Sequence, residues 1–139
     1  MIYYARPRVM RVDADFCEIM IPLRRRTRNH LKSMYIATLI MGADLAAGLL
    51  GMDLIQKSGH RLSLVFKDVQ GDFLKRVDGH AHFVCEDGAA IQALIDEVIT
   101  SGERQHRQIP VRVYAPDKYG EEVLARISLT LSLKEKTAV

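Results

Sequence analysis

Residues 34–55 read MYIATLIMGADLAAGLLGMDLI, an apolar run whose only charges are Asp44 at its middle and Asp53 near its end. Taken as a helix, the run puts Ile40 and Met41 one turn before Asp44, and Ala47 and Gly48 one turn after it. Every helical neighbour of this carboxylate is therefore apolar. Moving an ionised carboxylate out of water costs on the order of several kcal/mol unless a partner compensates. Such a setting raises the pKa toward the range of a base working at neutral pH. Two plainer readings compete: an aspartate satisfied at a helix–helix or subunit contact, and a membrane span, since ~20 apolar residues cross a bilayer. Gly42, Gly48 and Gly51 interrupt the run, Asp44 falls at its midpoint, and its flanks look like strands, so the span is set aside. A helix apolar on all sides in a soluble chain has to be enclosed.

The flanks supply the enclosure. Before the run, RVMRV (8–12) and FCEIMIPL (16–23) read as strands joined through Asp13-Ala14-Asp15, where small and acidic residues suit a turn. A basic loop follows, then Asn29-His30, with Ser33 placed to cap the long helix. After the run, Gly51 and Gly59 bracket the helix end, HRLSLVFKDV (60–69) and VDGHAHFVCE (77–86) read as strands, and Gly71-Asp72 turn between them. Asp87-Gly88 open an amphipathic helix over about residues 89–100, with Ile91, Leu94, Ile95 and Val98 on one face, and Ser101-Gly102 stop it. A final hairpin joins residues 108–114 to residues 121–133 through Pro116–Gly120, and its second arm alternates Val123, Ala125, Ile127, Leu129, Leu131 and Leu133 with mostly polar residues. The expected architecture is α+β: one domain, residues 1–139, in which a curved antiparallel sheet wraps a long central helix.

Bulk properties narrow the function. At 139 residues, 48% hydrophobic and 27% charged, the chain suits one folded domain with a real core. The start Met1-Ile2-Tyr3-Tyr4 lacks the features of a signal peptide, which points to the cytoplasm. Cys17 and Cys85 fall in strands and there read as buried thiols rather than a disulfide. His80 and His82 share one face of a strand, but no third ligand at a metal-site spacing accompanies them, so no metal is expected. Net charge is only +3, yet Arg24, Arg25, Arg26, Arg28 and Lys32 crowd one loop. That stretch has no aromatics interleaved for base stacking, so a phosphate-bearing small molecule is a better partner than nucleic acid, and a solvated surface is the plain alternative.

The element order resembles the hotdog fold, and one segment goes further. In NHLKSMYIATLIMGAD (29–44), Asn29 and Asp44 stand fifteen residues apart. That spacing is similar to acyl-CoA thioesterases of the phenylacetate-degradation type, which carry an asparagine, a His-Gly-Gly six residues later and an acidic residue on the central helix. The Asn29-His30 pair also resembles a less characterised, thioesterase-like branch of the superfamily. At the His-Gly-Gly positions this chain has Tyr35, Ile36 and Ala37.

The resemblance implies hydrolysis of an acyl thioester, with Asp44 as general base or nucleophile and Asn29 orienting the water or the thioester carbonyl. Amides of the first helical turn, at Ile36 and Ala37, would serve the oxyanion. Tyr35 and His30 would sit beside the substrate, and Arg24, Arg26 and Arg28 would meet the phosphates of coenzyme A, which enters as part of the substrate and not as a cofactor. It also implies a homodimer or dimer of dimers, with the neighbour's residues near Phe66 to Phe73 lining an acyl pocket. A hotdog module that binds an acyl or acyl-CoA ligand without cleaving it fits the same residues.

Overall fold

The computed structural model describes residues 2–136 and places ten elements along them. They are α1 (Ile2–Ala5), β1 (Arg8–Val12), β2 (Cys17–Ile21), α2 (Ile36–Ser58), β3 (Leu62–Phe73), β4 (Ala81–Cys85), α3 (Gly88–Ser101), β5 (Gln105–Tyr114), α4 (Pro116–Tyr119) and β6 (Ala125–Glu135). The six strands form one sheet in the order β1-β2-β4-β5-β6-β3, with every pairing antiparallel. This is the α+β arrangement expected from the sequence.

The sheet faces α2 with the alternating residues that the strands bury. Cys17, Ile19 and Ile21 of β2, Ala81, Phe83 and Cys85 of β4, and Ile127, Leu129, Leu131 and Leu133 of β6 are all buried. Two glycines let the helix settle on that surface: a Cβ on Gly42 would collide with the Phe83 ring, and one on Gly51 with Leu64. Residues read as interruptions of an apolar run are contact points between helix and sheet. Gly59, in the left-handed conformation at φ 76°, ends α2. The second long helix, α3, buries Ile91, Leu94, Ile95 and Val98, as its periodicity requires.

Several boundaries differ from the sequence reading, each for a tertiary reason. The turn expected at Gly71-Asp72 is absent because β6 pairs with β3 without a break from Asp68↔Thr130 to Phe73↔Ala125, carrying the strand through both. A register shift between Phe66 and Asp68 bends that long ladder. Val77 does not begin β4; its carbonyl instead accepts a bond from the Met34 amide and ties the loop before α2 to the loop before β4. Residues 121–124 do not begin the last strand, since α4 and the following turn occupy the connection. Ser33 does not cap α2: the helix begins at Ile36, Tyr35 holds the cap position, and no side chain caps it. The short helix α1 has no counterpart in the sequence reading.

Both edge strands, β1 and β3, approach the C-terminal half of α2, and a cavity of about 640 Å³ between them is lined by Val9, Val12, Leu49, Met52 and Leu62. The sheet thus curls around the helix without closing.

Candidate functional site

That open seam decides where Asp44 lies. One face of α2, including Leu39, Ala43, Ala46, Ala47 and Leu50, is buried against the sheet. The opposite stripe, Ile36, Ile40, Asp44, Gly48 and Met52, recurs every four residues and faces outward, with Ile36 62% and Met52 55% exposed. The enclosure expected for Asp44 is therefore not found in the single chain: its side chain stands on the exposed face. The reason is geometric, since a one-layer sheet that curls part-way covers only one side of a helix. The apolar surroundings expected of Asp44 do hold. Its Oδ1 and the ring of Phe66 flank Gly48, at 3.7 and 3.6 Å from the point a Cβ there would occupy. Desolvation by these neighbours pushes the Asp44 carboxyl above the usual carboxylate range. Among the described residues it has no hydrogen-bond or ion-pair partner.

The start of α2 is the second component. The first intrahelical bond runs from the Leu39 amide to the Tyr35 carbonyl, so the amides of Ile36, Ala37 and Thr38 have no partner in the helix, and no side chain caps them. Two cavities meet this end. One, of about 480 Å³, is lined by Asn29, Ser33, Tyr35, Ile36, Phe73 and Arg76, among others. The other, of about 290 Å³, has Tyr4, Arg26, Tyr35, Ile36, Ala37 and Met41 in its wall. Asn29 is fixed by its own loop: its Oδ1 accepts bonds from the Leu31 amide at 2.9 Å and the Ser33 amide at 3.1 Å. With that oxygen engaged, the side-chain NH₂ is the end free to donate.

The basic loop divides. Arg24 and Arg26, with Arg25, line a third cavity of about 410 Å³ that Arg6 and Arg8 also line. Sequence reading missed those two, and the available signal was the pattern YYARPR (3–8), in which tyrosines stand beside arginines. The structure also brings an aromatic to the basic loop that the loop itself lacks: the Arg26 guanidinium lies 5.3 Å from the Tyr4 ring centre. Arg28 and His30 are not brought into these cavities. Arg28 is half-buried and bridges to Met34 through its backbone, and His30 is exposed in the following turn.

His82 lies in β4 and His80 just before it, not on one strand face as expected, and both have protein partners. His80 Nδ1 accepts the Leu23 amide at 2.9 Å, and His82 Nδ1 lies 2.6 Å from Glu18 Oε2. Cys17 and Cys85 face each other across β2 and β4 as free, fully buried thiols, and burial pushes them up to about 12 and about 11 respectively.

Comparison with known proteins bears on the architecture. The model of a family described as "Domain of unknown function (DUF4442)" matches residues 3–133. No curated protein matches the sequence. Among solved structures, a protein of unknown function from Pseudomonas aeruginosa, described as "Probable Thioesterase", superposes with a TM-score of 0.83 at 18% identity, covering 97% of this chain and 87% of that one. A protein of unknown function from Chlorobaculum tepidum gives 0.82 at 12% identity, over 97% and 86% of the two chains. A thioesterase from Haemophilus influenzae gives 0.74 at 12% identity, over 96% and 82%. At these identities the likeness is one of fold, and the fold is the hotdog.

Proposed function

Because the chain belongs to the DUF4442 family, a membership that assigns no chemistry, we propose its function from the geometry: hydrolysis of an acyl thioester, with coenzyme A as the carrier. One observation carries the reading. The uncapped start of α2 leaves the amides of Ile36, Ala37 and Thr38 free between two cavities, one lined by Ile36 and Asn29 and the other by Ile36, Ala37 and Thr38, an arrangement suited to a carbonyl oxygen that gains negative charge. The donors belong to the backbone, so the side chains of Tyr35, Ile36 and Ala37 in place of a His-Gly-Gly leave them available. Asn29, donating through its NH₂, orients the thioester carbonyl or the attacking water. Tyr35 shapes both cavities.

Asp44 acts as general base toward water, or attacks the carbonyl itself. Its raised pKa suits the first role. Eight residues separate it from Ile36, about 12 Å along the axis, too far for one helix to supply both groups to one carbonyl. A second copy laid antiparallel across the open face brings its Asp44 toward the first copy's Ile36, and this supports a homodimer with shared sites, singly or as a dimer of dimers. The uncovered apolar stripe on α2 and the exposed edge β3, with Val65 50%, Val69 45% and Phe73 44% exposed, support the same arrangement. Arg24 and Arg26 meet the carrier's phosphates, while Arg28 adds charge and His30 a hydrogen-bonding ring from outside the cavities.

The test is a panel of acyl-CoAs with detection of the released thiol, run on the wild type and Asp44→Ala. Turnover abolished by the substitution supports the hydrolase. Binding without turnover in both proteins would instead identify a non-catalytic acyl-CoA-binding module, which the absent His-Gly-Gly favours.

A further inference from the structure

The cavity of about 410 Å³ beside the basic loop has Tyr4, Arg6, Arg8, Arg24, Arg25 and Arg26 in its walls. Among the described residues none of these five arginines forms an ion pair, whereas Arg11, Arg107 and Arg112 all do. Five uncompensated cations round one recess repel each other until an anion enters. Guanidinium groups bond phosphate oxygens in pairs, and two of these are steadied over aromatic rings, Arg26 over Tyr4 at 5.3 Å and Arg6 over Tyr3 at 5.7 Å.

Arg6 adds an independent observation. It follows the single turn of α1, donates its amide to the Ile2 carbonyl at 3.1 Å, and has φ of 53°. That left-handed position after a helical turn favours glycine. A long cationic side chain kept at a strained position signals a demand other than stability.

The recess also borders a second cavity. It shares Tyr4, Ala5, Arg26 and Thr27 with the apolar cavity of about 290 Å³, which continues to Tyr35, Ile36 and Ala37 at the start of α2. A ligand with a multiply charged head and a slender apolar arm would place the head among the arginines and the end of the arm at the free amides.

We infer that the N-terminal segment Tyr4–Arg8 is part of the ligand site, and that Arg6 and Arg8, with Arg24, Arg25 and Arg26, grip a nucleotide phosphorylated at two positions. The adenosine 3′,5′-bisphosphate end of coenzyme A presents that chemistry. Naming the carrier rests on the thioester reading above, but the anion recess does not.

Calorimetric titration of the full chain with adenosine 3′,5′-bisphosphate tests it, because this probe contains no thioester. The bisphosphate is expected to bind at least about tenfold tighter than adenosine, with an affinity that falls as salt rises. Arg6→Gly is expected to weaken it about tenfold while the thermal midpoint stays level or rises, since glycine relieves the strained φ. Arg8→Ala should weaken it similarly, and Lys134→Ala, which removes one exposed charge outside the recess, should leave it unchanged. Equal affinity for adenosine and the bisphosphate, an equal loss in Lys134→Ala, or a single-stranded oligonucleotide binding more tightly than the bisphosphate would each overturn the inference. Arginine-dependent binding without turnover of any thioester would sink the hydrolase reading and leave this one standing, and turnover without bisphosphate binding would do the reverse.

Discussion

Gly42 of the long helix lies against the ring of Phe83 in β4, so closely that a Cβ built on it would stand 2.3 Å from the ring carbons Cε2 and Cζ. Phe83 is fully buried and cannot swing aside. Gly42→Ala gains about 1 kcal/mol of helix propensity but must push helix and sheet apart, and overpacking of this kind costs about 1–3 kcal/mol or more. Net destabilisation is expected, read as a lower urea midpoint with an unchanged slope. Gly42→Ala combined with Phe83→Leu should recover part of the loss. A single variant as stable as wild type would mean that the helix does not rest on Phe83.

The contact between Gly42 and Phe83 also marks what a sequence can and cannot reveal. The helix, its αL stop at Gly59, the amphipathic α3 and the alternating β6 were legible because each is written in local periodicity or in a cap residue. The continuation of β3 through Gly71-Asp72 was not, because it follows from the length of its partner β6 rather than from its own residues. At the site, the apolar setting and raised pKa of Asp44 followed from its helical neighbours, but its exposure depends on how far the sheet curls, which no local pattern encodes. Arg6 and Arg8 are not legible beforehand because the fold, not the sequence, brings them to the same cavity as Arg24 and Arg26.

Cys17 and Cys85 should be silent toward thiol reagents. With burial holding the more acidic of the two at about 11, only about one molecule in a thousand carries that thiolate at pH 8. Titration with a chromogenic disulfide at pH 8 is expected to register close to zero thiols in the native protein and two after denaturation. Rapid native reaction of either thiol would contradict its placement in the core.

The edge of β3 offers a direct test of pairing between chains. Val69 is 45% exposed on a strand whose outer side is unpaired in the single chain. Val69→Lys sets like charges against each other near the axis of an edge-to-edge dimer, while costing the isolated fold little because the position is exposed. Sedimentation equilibrium is expected to show a dimer for wild type and a shift toward monomer for the variant, with loss of thioester turnover in parallel. A wild-type monomer that still turns over thioester would remove the shared site.

Asp44 makes two predictions of opposite sense that a single titration separates. As a base it works ionised, so turnover should rise with pH through its folded-state pKa, with the acid limb displaced upward from the ordinary carboxylate range. Stability runs the other way. The folded chain holds this proton more tightly than the unfolded chain does, so stability is greatest below the unfolded value of about 4 and declines as pH rises to the raised value. Asp44→Asn removes that decline. The variant is expected to lose about 10²–10⁴-fold in turnover, yet to unfold at a higher temperature than wild type at neutral pH, with the difference vanishing at pH 3. An aspartate kept only for packing would give no such pairing of lost activity with gained stability.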